Sequence, residues 1–279
     1  MKVQPVQYNA FRNGSKTYFN SSRFFPASVR DDVFALYAFV RVADNYVDSI
    51  PQQADELNKM QVDYRASLAG TPSNDIVVDS FAELCRRVEI RPEWVDAFFH
   101  SMRLDLTKFA YDTLEETLEY IYGSAEVIGL CMARILHLHQ DADQAACMLG
   151  RAMQYINFIR DIDEDNRLGR RYLPLHDSGL NSLQAEEARS KPDVFVSFVR
   201  GELARYRGWM DEAEKGYAMI PFRARTAVKT AGDMYDWTAL TIERNPFVVY
   251  ERKVKPKRSR VVLRGMGNLL VGAGFRRSR

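Results

Sequence analysis

The amino-acid sequence predicts an all-α protein with a single helical domain, and three observations support that prediction. Apolar residues recur at helical spacing along most of the 279 residues, and alternating β-type patterns joined by hairpin turns are absent. Only 15 residues are glycine, which is few for a sheet protein with tight turns. The composition, 46% hydrophobic and 27% charged, is that of a globular chain that can bury a sizeable core.

Helical segments and turn signals alternate along the chain. The first helix is expected to begin after Pro26, with Ser28 as its N-cap and Asp31 three residues later, close to a capping box. Residues 166–181 form the longest irregular stretch, and a long loop directly after an acidic helix end is often functional. The predicted helices cover 28–48, 53–69, 77–89, 92–108, 113–138, 142–166, 182–217 and 222–243, and turn signals fall at 70–75, 91–92, 139–141 and 245–246.

Charge is distributed unevenly. The formal net charge is +2, but residues 251–279 hold ten Lys or Arg and one acid, which leaves 29 basic and 36 acidic side chains elsewhere. We therefore divide the chain into a helical domain, 1–250, and a basic C-terminal tail, 251–279, which also carries the apolar Leu269, Leu270, Val271 and Phe275. Two interpretations stay open, a disordered basic segment or nucleic-acid contact on the one hand and peripheral attachment to anionic lipid on the other. We expect the second, with no nucleic-acid partner.

Cysteine usage and hydropathy indicate the compartment. The three cysteines are widely separated and form no CxxC pair, which argues against a disulfide framework or a zinc site. The N-terminal stretch has no apolar segment of the kind found in signal peptides, and no run of about 18 uncharged apolar residues occurs. We expect a cytoplasmic protein without a membrane-spanning helix.

Two carboxylates on the predicted helix 28–48 share one face with other polar groups. Tyr37, Arg41, Asp44 and Asp48 are spaced by four, three and four residues, which keeps all four on one side of a helix. Apolar residues border the same stripe. We call Asp44 and Asp48 the first acidic face.

A second acidic face ends the predicted helix 142–166. Asp161 and Asp165 follow Gln154 and Asn157 at spacings of three, four and four residues, again on one side of a helix. On the adjacent side lie Arg160 and Glu164, whereas Asp163 is expected to point towards solvent. We call Asp161 and Asp165 the second acidic face.

Acidic pairs one helical turn apart are often plain solvated surface, because their mutual repulsion costs only a few tenths of a kcal/mol. Here two such pairs recur on stripes that otherwise look buried, where unpaired carboxylates would each cost several kcal/mol. Carboxylate oxygens are ligands that Mg²⁺ prefers, and Mg²⁺ shares its shell with substrate phosphates. The two faces therefore predict a clamp around a Mg²⁺–diphosphate cluster. Nearby arginines, which could contact phosphate oxygens, are Arg41, Arg160, Arg167, Arg170 and Arg171.

The sequence resembles the squalene/phytoene synthases, head-to-head trans-prenyl synthases, over nearly its whole length. The resemblance lies in GSKTYFNSSRFFP (14–26), LYAFVRVADNYVD (36–48), YIYGSAEVIG (120–129), QYINFIRDIDEDNRLGRRYLP (154–174) and YDWTALTIERNPFVVYERKV (235–254). The fourth stretch is the most specific, since it matches a long signature, NxxRDxxED followed by GRxYLP. Two positions depart from the family pattern. Asn45 stands where many members have a second acid, and Glu126 stands where glycine is usual, which puts the local geometry of 120–129 in question.

The resemblance implies an isoprenoid-synthase helical bundle around a central cavity. It implies a prenyltransferase of isoprenoid and carotenoid biosynthesis that condenses two prenyl diphosphates through a cyclopropylcarbinyl diphosphate. Mg²⁺, or in its place Mn²⁺, would hold the leaving diphosphate. The implied catalytic residues are Tyr37, Arg41, Asp44, Asp48, Asp161 and Asp165; the metal ligands are Asp44, Asp48, Asp161, Glu164 and Asp165; and the substrate-binding residues are Ser15, Tyr18, Ser22, Tyr122, Gln154, Asn157, Arg160, Arg170, Tyr172 and Tyr235. For Tyr172, holding the loop and approaching the substrate both remain open.

Product identity depends on the depth of the cavity. If residues 15–24 are helical, Tyr18 and Ser22 lie one turn apart, and the small Ser22 leaves room for a long tail. This favours the condensation of two geranylgeranyl diphosphates to phytoene, and the chain is closest in type to the phytoene synthases. The alternative is the condensation of farnesyl diphosphate to squalene or dehydrosqualene. NADPH would be needed only for squalene. The glycine-rich stretch 265–274 is not a dinucleotide fingerprint, because no βαβ unit surrounds it.

Two functions of other classes also fit an acidic helical protein. An all-α Mg²⁺-dependent nucleotide pyrophosphohydrolase places acidic clusters on two helices but needs neither the aromatic flanks nor GRRYLP. A catalytically inactive relative that serves as an assembly factor would be expected to have lost one or more of the four aspartates, and all four are present.

Overall fold

The computed structural model describes residues 5–14 and 16–277, and this part of the chain is built from α-helices with no β-strand. Single helical turns of other types join several of the α-helices. Ser15 lies outside the described residues. The helices are α1 Pro5–Gly14, α2 Lys16–Ser21, α3 Ala27–Asp48, α4 Ala54–Leu68, α5 Ile76–Val88, α6 Pro92–Thr107, α7 Leu114–Ile121, α8 Val127–Ile135, α9 Asp143–Arg160, α10 Ile162–Arg167, α11 Ala185–Ser190, α12 Pro192–Glu214, α13 Phe222–Arg244, α14 Val248–Glu251 and α15 Arg258–Arg277.

The predicted all-α class is confirmed, and α3 to α6 and α13 match their predicted bounds within two residues. The predicted cap of the first long helix is wrong. Helix α3 begins at Ala27 with Pro26 as its N-cap and no side-chain cap bond, because proline fixes the backbone that leads into the helix. A side-chain cap does occur on α5, where Asp75 accepts from the amides of Val77 and Val78.

Two predicted long helices are interrupted. The predicted helix 142–166 breaks at Asp161, whose φ of −99° and ψ of 15° lie outside the α-helical region. The predicted helix 182–217 breaks at Lys191, because Pro192 disfavours helical geometry in the residue before it. Residues 182–184 are not helical, so this stretch becomes α11 and α12.

The segment that carries Glu126 also departs from one continuous helix. Residues Tyr122–Glu126 form a π-helical turn between α7 and α8. Glu126 is buried and pairs with Arg151 of α9, whose Nε lies 2.7 Å from its carboxylate. Arg151 in turn lies over the ring of Trp209 on α12. The acid that replaces the usual glycine is therefore accommodated by an internal counter-charge.

The core consists of two apolar clusters that meet near the N-terminal helices. One cluster joins α3, α5, α6 and α8, where Phe39 stacks on Phe81 at a centroid distance of 4.0 Å. The other joins α9, α12 and α13 around Tyr155 and Phe158. Tyr18 of α2 packs against both clusters.

Most of the basic tail is helical and docks on the domain. Helix α15 packs on α13 and α2. Asp233 of α13 accepts hydrogen bonds from Arg264 at 2.8 Å and from Asn268 at 2.7 Å. A Cβ on Gly265 would lie 2.2 Å from the ring of Phe24, so only glycine permits this approach. The C-terminal helix thus supports the segment that follows Tyr18 and Ser22.

Candidate active site

The first acidic face lies at the C-terminal end of α3, and each of its aspartates has an arginine partner. Arg41 donates to Asp44 one turn further along the same helix. Asp48 accepts from Arg170 Nη1 at 2.8 Å, an arginine that lies in the loop after α10. Tyr37, one turn before Arg41, stacks on Phe11 with ring centroids 4.0 Å apart. This geometry is consistent with the prediction that Tyr37, Arg41, Asp44 and Asp48 share one face of the helix.

Burial changes the protonation of this face. The pKa of Asp44 is raised well above its usual range, first by desolvation and then by the negative charge of Asp48, although Arg41 opposes the shift. The pKa of Tyr37 is also raised by burial. An added cation would relieve the cost of keeping Asp44 charged.

The second acidic face spans the break between α9 and α10. Asp161 accepts from Nε of the adjacent Arg160 at 2.9 Å and lies 3.6 Å from Lys253 Nζ. Lys253 also contacts Glu164, which is exposed at the rim. Asp163 is half-buried and pairs with Arg167, so it turns away from these groups.

Arg170 and Asp105 connect the two acidic faces electrostatically. Burial raises the pKa of Asp165 to about 8, helped by the negative charges of Asp161 and Glu164 and opposed by Arg170. Arg170 likewise opposes the rise at Asp44, and the charge of Asp105 raises the pKa of both Asp44 and Asp165. One arginine therefore lies within interaction range of both faces, which brings together sequence segments more than a hundred residues apart.

The loop after α10 is fixed by backbone and side-chain contacts. Arg171 forms an isolated parallel bridge with Ala110, through Arg171 N to Phe109 O at 2.8 Å and Tyr111 N to Arg171 O at 3.0 Å. Tyr172 is buried, stacks on Phe158 at 4.3 Å and donates to Asp105 at 2.6 Å. These contacts are consistent with holding the loop, the first of its two predicted roles.

Asp105 itself was not predicted as a site residue. It is 3% exposed and accepts hydrogen bonds from Tyr120 at 2.7 Å and Tyr172 at 2.6 Å. Burial raises its pKa to about 6, although both tyrosine hydrogen bonds and Arg170 oppose the shift. The only signal in the sequence is a single acid on the apolar side of α6. Lys253 was also missed, since it stands among ten basic residues of the tail.

Aromatic and amide groups lie beside the second acidic face. Tyr18 and Tyr235 pack with ring centroids 5.7 Å apart, and Tyr18 donates to Met153 Sδ at 3.2 Å. Asn157 contacts Tyr235, and the positive charge of Arg160 and the side-chain interactions with Tyr18 and Asn157 counter the effect of burial on the Tyr235 pKa. Gln154 is half-buried one turn before Asn157 on α9.

The donor set fits magnesium that is shared with a diphosphate. The buried Oδ1 of Asn157 has no hydrogen-bond partner, and burial together with neighbouring carboxylates raises the pKa values of Asp44 and Asp165, which an added cation would counter. Within residues 5–14 and 16–277, no three His, Cys, Asp or Glu side chains lie close enough to hold a metal ion by themselves. Mg²⁺ is often bound through one or two carboxylates together with substrate phosphates, so this distribution suits it.

For two further predicted substrate-binding residues, Tyr122 and Ser22, the contacts are with other groups. Tyr122 is 43% exposed, and its titratable neighbours are Cys147, Glu126 and Arg91. The tyrosine of this segment that faces the site is Tyr120, because the helix turns the two side chains in different directions. Ser22 is buried, and its hydroxyl donates to Phe19 O at 2.9 Å within its own turn.

Comparison with known proteins identifies the family. The family model described as "Squalene/phytoene synthase" matches residues 11–264. The chain belongs to this family. It is therefore a prenyltransferase, and the resemblance inferred from the sequence is confirmed. The pyrophosphohydrolase alternative is not supported.

Curated relatives and solved structures agree with this assignment. The chain is 32% identical over 234 residues to the phytoene synthase of Rhodobacter capsulatus, and the aligned region covers 80% of this chain and 68% of the relative. It is 28% identical to the 15-cis-phytoene synthase of Pantoea ananas, covering 82% of this chain and 79% of the relative. Its fold is similar to squalene synthase HpnC from Alicyclobacillus acidocaldarius, with a TM-score of 0.77, 23% identity, and coverage of 87% and 93%. A ligand-bound dehydrosqualene synthase gives a TM-score of 0.76 at 19% identity, with coverage of 98% and 96%.

Proposed function

We propose that this synthase joins two geranylgeranyl diphosphates head to head, through prephytoene diphosphate, to phytoene. The observation that carries the proposal is the pair of acidic faces that share Arg170. The phytoene product is supported by the relatives named phytoene synthase, which match most of this chain.

The charged residues of the site are suited to a departing diphosphate. Mg²⁺, or Mn²⁺ in its place, would be held by Asp44, Asp48, Asp161 and Asp165, with Glu164 at the rim, and would neutralise the leaving group. Arg41, Arg160 and Arg170 already contact three of these aspartates. A guanidinium that is freed when its carboxylate turns to a metal would face the phosphate oxygens.

The apolar surroundings of the acidic faces are suited to shielding a carbocation from water. Val40 lies one turn before Asp44 on α3 and lines a small apolar pocket together with Phe39, Phe98, Val127 and Cys131. An apolar pocket beside the first acidic face would exclude water, which would otherwise capture the cation. The rings of Tyr18 and Tyr235, tilted by 47° to each other, would place aromatic groups beside the second acidic face.

Farnesyl diphosphate condensation to squalene or dehydrosqualene is the second candidate. The fold is similar to those of a squalene and a dehydrosqualene synthase, and at under 25% identity this similarity extends to the fold alone. NADPH would be required only if squalene were the product.

Product analysis tests the proposal. Purified enzyme with Mg²⁺ is given geranylgeranyl or farnesyl diphosphate, each with and without NADPH, and the hydrocarbons are separated by chromatography. We expect phytoene from geranylgeranyl diphosphate, independent of NADPH. A C30 hydrocarbon from farnesyl diphosphate alone would replace the phytoene assignment. Absence of any condensation, with the fold intact, would favour the inactive-relative alternative.

We also propose peripheral contact with an anionic membrane surface through α15. No helix in the described part of the chain has the length and apolar character needed to cross a bilayer. The outer side of α15 exposes Leu263, Met266 and Leu270 at spacings of three and four residues, and basic residues precede them from Arg252 onwards. Such a pattern suits a surface of anionic headgroups.

Vesicle co-sedimentation tests this contact. The triple variant Leu263→Ser, Met266→Ser, Leu270→Ser is compared with Val62→Ser, an exposed apolar residue on α4. We expect the triple variant alone to lose binding to phosphatidylglycerol vesicles, with little binding of any protein to phosphatidylcholine. Unchanged binding of the triple variant would remove the proposal.

A further inference from the structure

Asp105 is a buried carboxylate that belongs to neither acidic face. It lies near the C-terminal end of α6 with both carboxylate oxygens bonded to phenols, Oδ2 to Tyr120 and Oδ1 to Tyr172. At 3% exposure it cannot serve as solvated surface. A carboxylate at such depth is costly unless it stabilises a nearby positive charge or a defined geometry.

The positive charge in this network is that of Arg170, which lies in the loop after α10. Its guanidinium connects that loop to the C-terminal ends of α3 and α6. Nη1 donates to Asp48, while Nη2 donates to Val47 O at 2.8 Å and to Asp105 O at 3.3 Å. Gln52 bridges the same two carbonyls at 2.8 and 2.9 Å. The guanidinium is therefore held by the backbone of α3 and α6 even apart from its pairing with Asp48.

The charge balance around Arg170 explains why a second carboxylate is useful. Arg170 is buried, with 8% of its surface exposed. If Asp48 were the only carboxylate near it, moving Asp48 towards a metal would leave this buried guanidinium without a counter-charge. Asp105 is also close to Arg170, because its backbone carbonyl accepts from Arg170 Nη2 at 3.3 Å, and its negative charge raises the pKa of the guanidinium as that of Asp48 does. Two carboxylates thus share one arginine, and either one can weaken its interaction without stranding the cation.

We propose that Asp105 is a positioning residue that fixes Arg170 and shares its charge, so that Asp48 can exchange the guanidinium for a metal-bound diphosphate. This inference rests on the proposed function. It differs from a purely structural role, in which Asp105 would only tether Tyr172 and hence the loop. The tether role predicts that removing the Tyr172 hydroxyl is as harmful as removing the Asp105 charge. The charge-sharing role predicts that the Asp105 effect depends on Arg170.

A double-mutant cycle separates the two roles. Binding of inorganic pyrophosphate with Mg²⁺ is measured by isothermal titration calorimetry for the wild type, Asp105→Asn, Arg170→Gln and the double variant. We expect Asp105→Asn to weaken binding about tenfold in the wild-type background and less than about twofold beside Arg170→Gln. Tyr172→Phe should weaken binding less than about threefold, because it keeps the charge.

Controls make each outcome decisive. Asp32→Asn is the matched control, since Asp32 is also buried and pairs with an arginine, Arg87, on α5; it should lower stability without weakening pyrophosphate binding. If Asp105→Asn does not fold, Asp105→Ser, which also removes the charge, supplies the same comparison in both Arg170 backgrounds. Equal losses in the two backgrounds, or Tyr172→Phe matching Asp105→Asn, would overturn the inference. Wild-type protein that fails to bind Mg²⁺ with pyrophosphate would instead contradict the proposed function itself.

Discussion

Arg170 donates to Asp48 at 2.8 Å across a sequence separation of 122 residues, and this contact ties the loop after α10 to the first acidic face. The same arginine lowers the pKa of Asp165 against the effect of burial. A single side chain thus interacts with both faces. Its guanidinium also donates to two backbone carbonyls, so its position is set by the fold.

Arg170→Lys tests the need for this geometry. Lysine retains the charge but carries its donors on a single nitrogen, which cannot replace Nη1 on Asp48 and Nη2 on the two carbonyls together, so alignment of the faces should be lost. We expect kcat/KM to fall about a hundredfold, which corresponds to about 2.7 kcal/mol of transition-state stabilisation. Steady-state kinetics with Mg²⁺ and geranylgeranyl diphosphate measure the effect. Arg167→Lys is the control, because Arg167 is exposed and pairs with Asp163 one turn earlier; a loss of the same size there would contradict the prediction.

Asp161→Asn tests the second acidic face. The substitution keeps the size of the side chain but removes the charge that we assign to metal binding, so kcat should fall about a thousandfold or more, about 4 kcal/mol. Asp163→Asn is the matched control from the same turn, and it should stay within about threefold of the wild type because Asp163 faces Arg167. Circular dichroism checks that both variants are folded. Comparable losses in the two variants would mean that the segment needs negative charge in general.

The sequence was sufficient to predict the fold class and the first acidic face. Helix α3 runs unbroken to Asp48, so residue spacing alone places Tyr37, Arg41, Asp44 and Asp48 on one side. On the second segment the same arithmetic assumes a helix that in fact breaks at Asp161. Asp161 and Asp165 remain one turn apart because Asp165 N donates to Asp161 O at 2.8 Å, which continues the hydrogen-bond pattern across the break.

Long-range pairing could not be predicted from one sequence. Asp105 meets Tyr172 across 67 residues, and its role depends on the packing of α6, α7 and the loop after α10. Lys253 meets Glu164 across 89 residues, from a tail whose overall charge suggested only an external partner. Local periodicity determines which residues share a helix face, but not which faces meet.

The docking of α15 predicts a pH-dependent contribution to stability. Burial alone would raise the pKa of Asp233, but hydrogen bonds from Arg264 and Asn268 and the charge of Lys229 lower it below its usual range. A lowered pKa in the folded state means that this group contributes stability above the unfolded pKa of about 3.9 and loses it as the pH falls through the folded value. Asp233→Asn should therefore destabilise the protein by about 1–2 kcal/mol at pH 7 and progressively less below about pH 4.

Thermal denaturation of the wild type and Asp233→Asn between pH 7 and pH 3.5 measures this effect. Glu212→Gln is the control, since Glu212 forms an exposed pair with Lys215 on neighbouring turns and should leave the melting temperature unchanged. A difference between Asp233→Asn and the wild type that grows as the pH falls would contradict the sign of the predicted linkage.

Metal and diphosphate are expected to bind cooperatively. In the described residues no three acidic, histidine or cysteine side chains converge on one point, so Mg²⁺ alone has no complete protein site. Pyrophosphate alone would meet the four aspartates of the two acidic faces. Melting temperatures are compared in buffer, with Mg²⁺, with pyrophosphate and with both. We expect a rise of several degrees only when both are present, because a ligand stabilises the folded state in proportion to its occupancy. The rise should disappear with EDTA and in Asp161→Asn, whereas Asp163→Asn should retain it. A full shift with Mg²⁺ alone would show that the metal site is complete without the diphosphate.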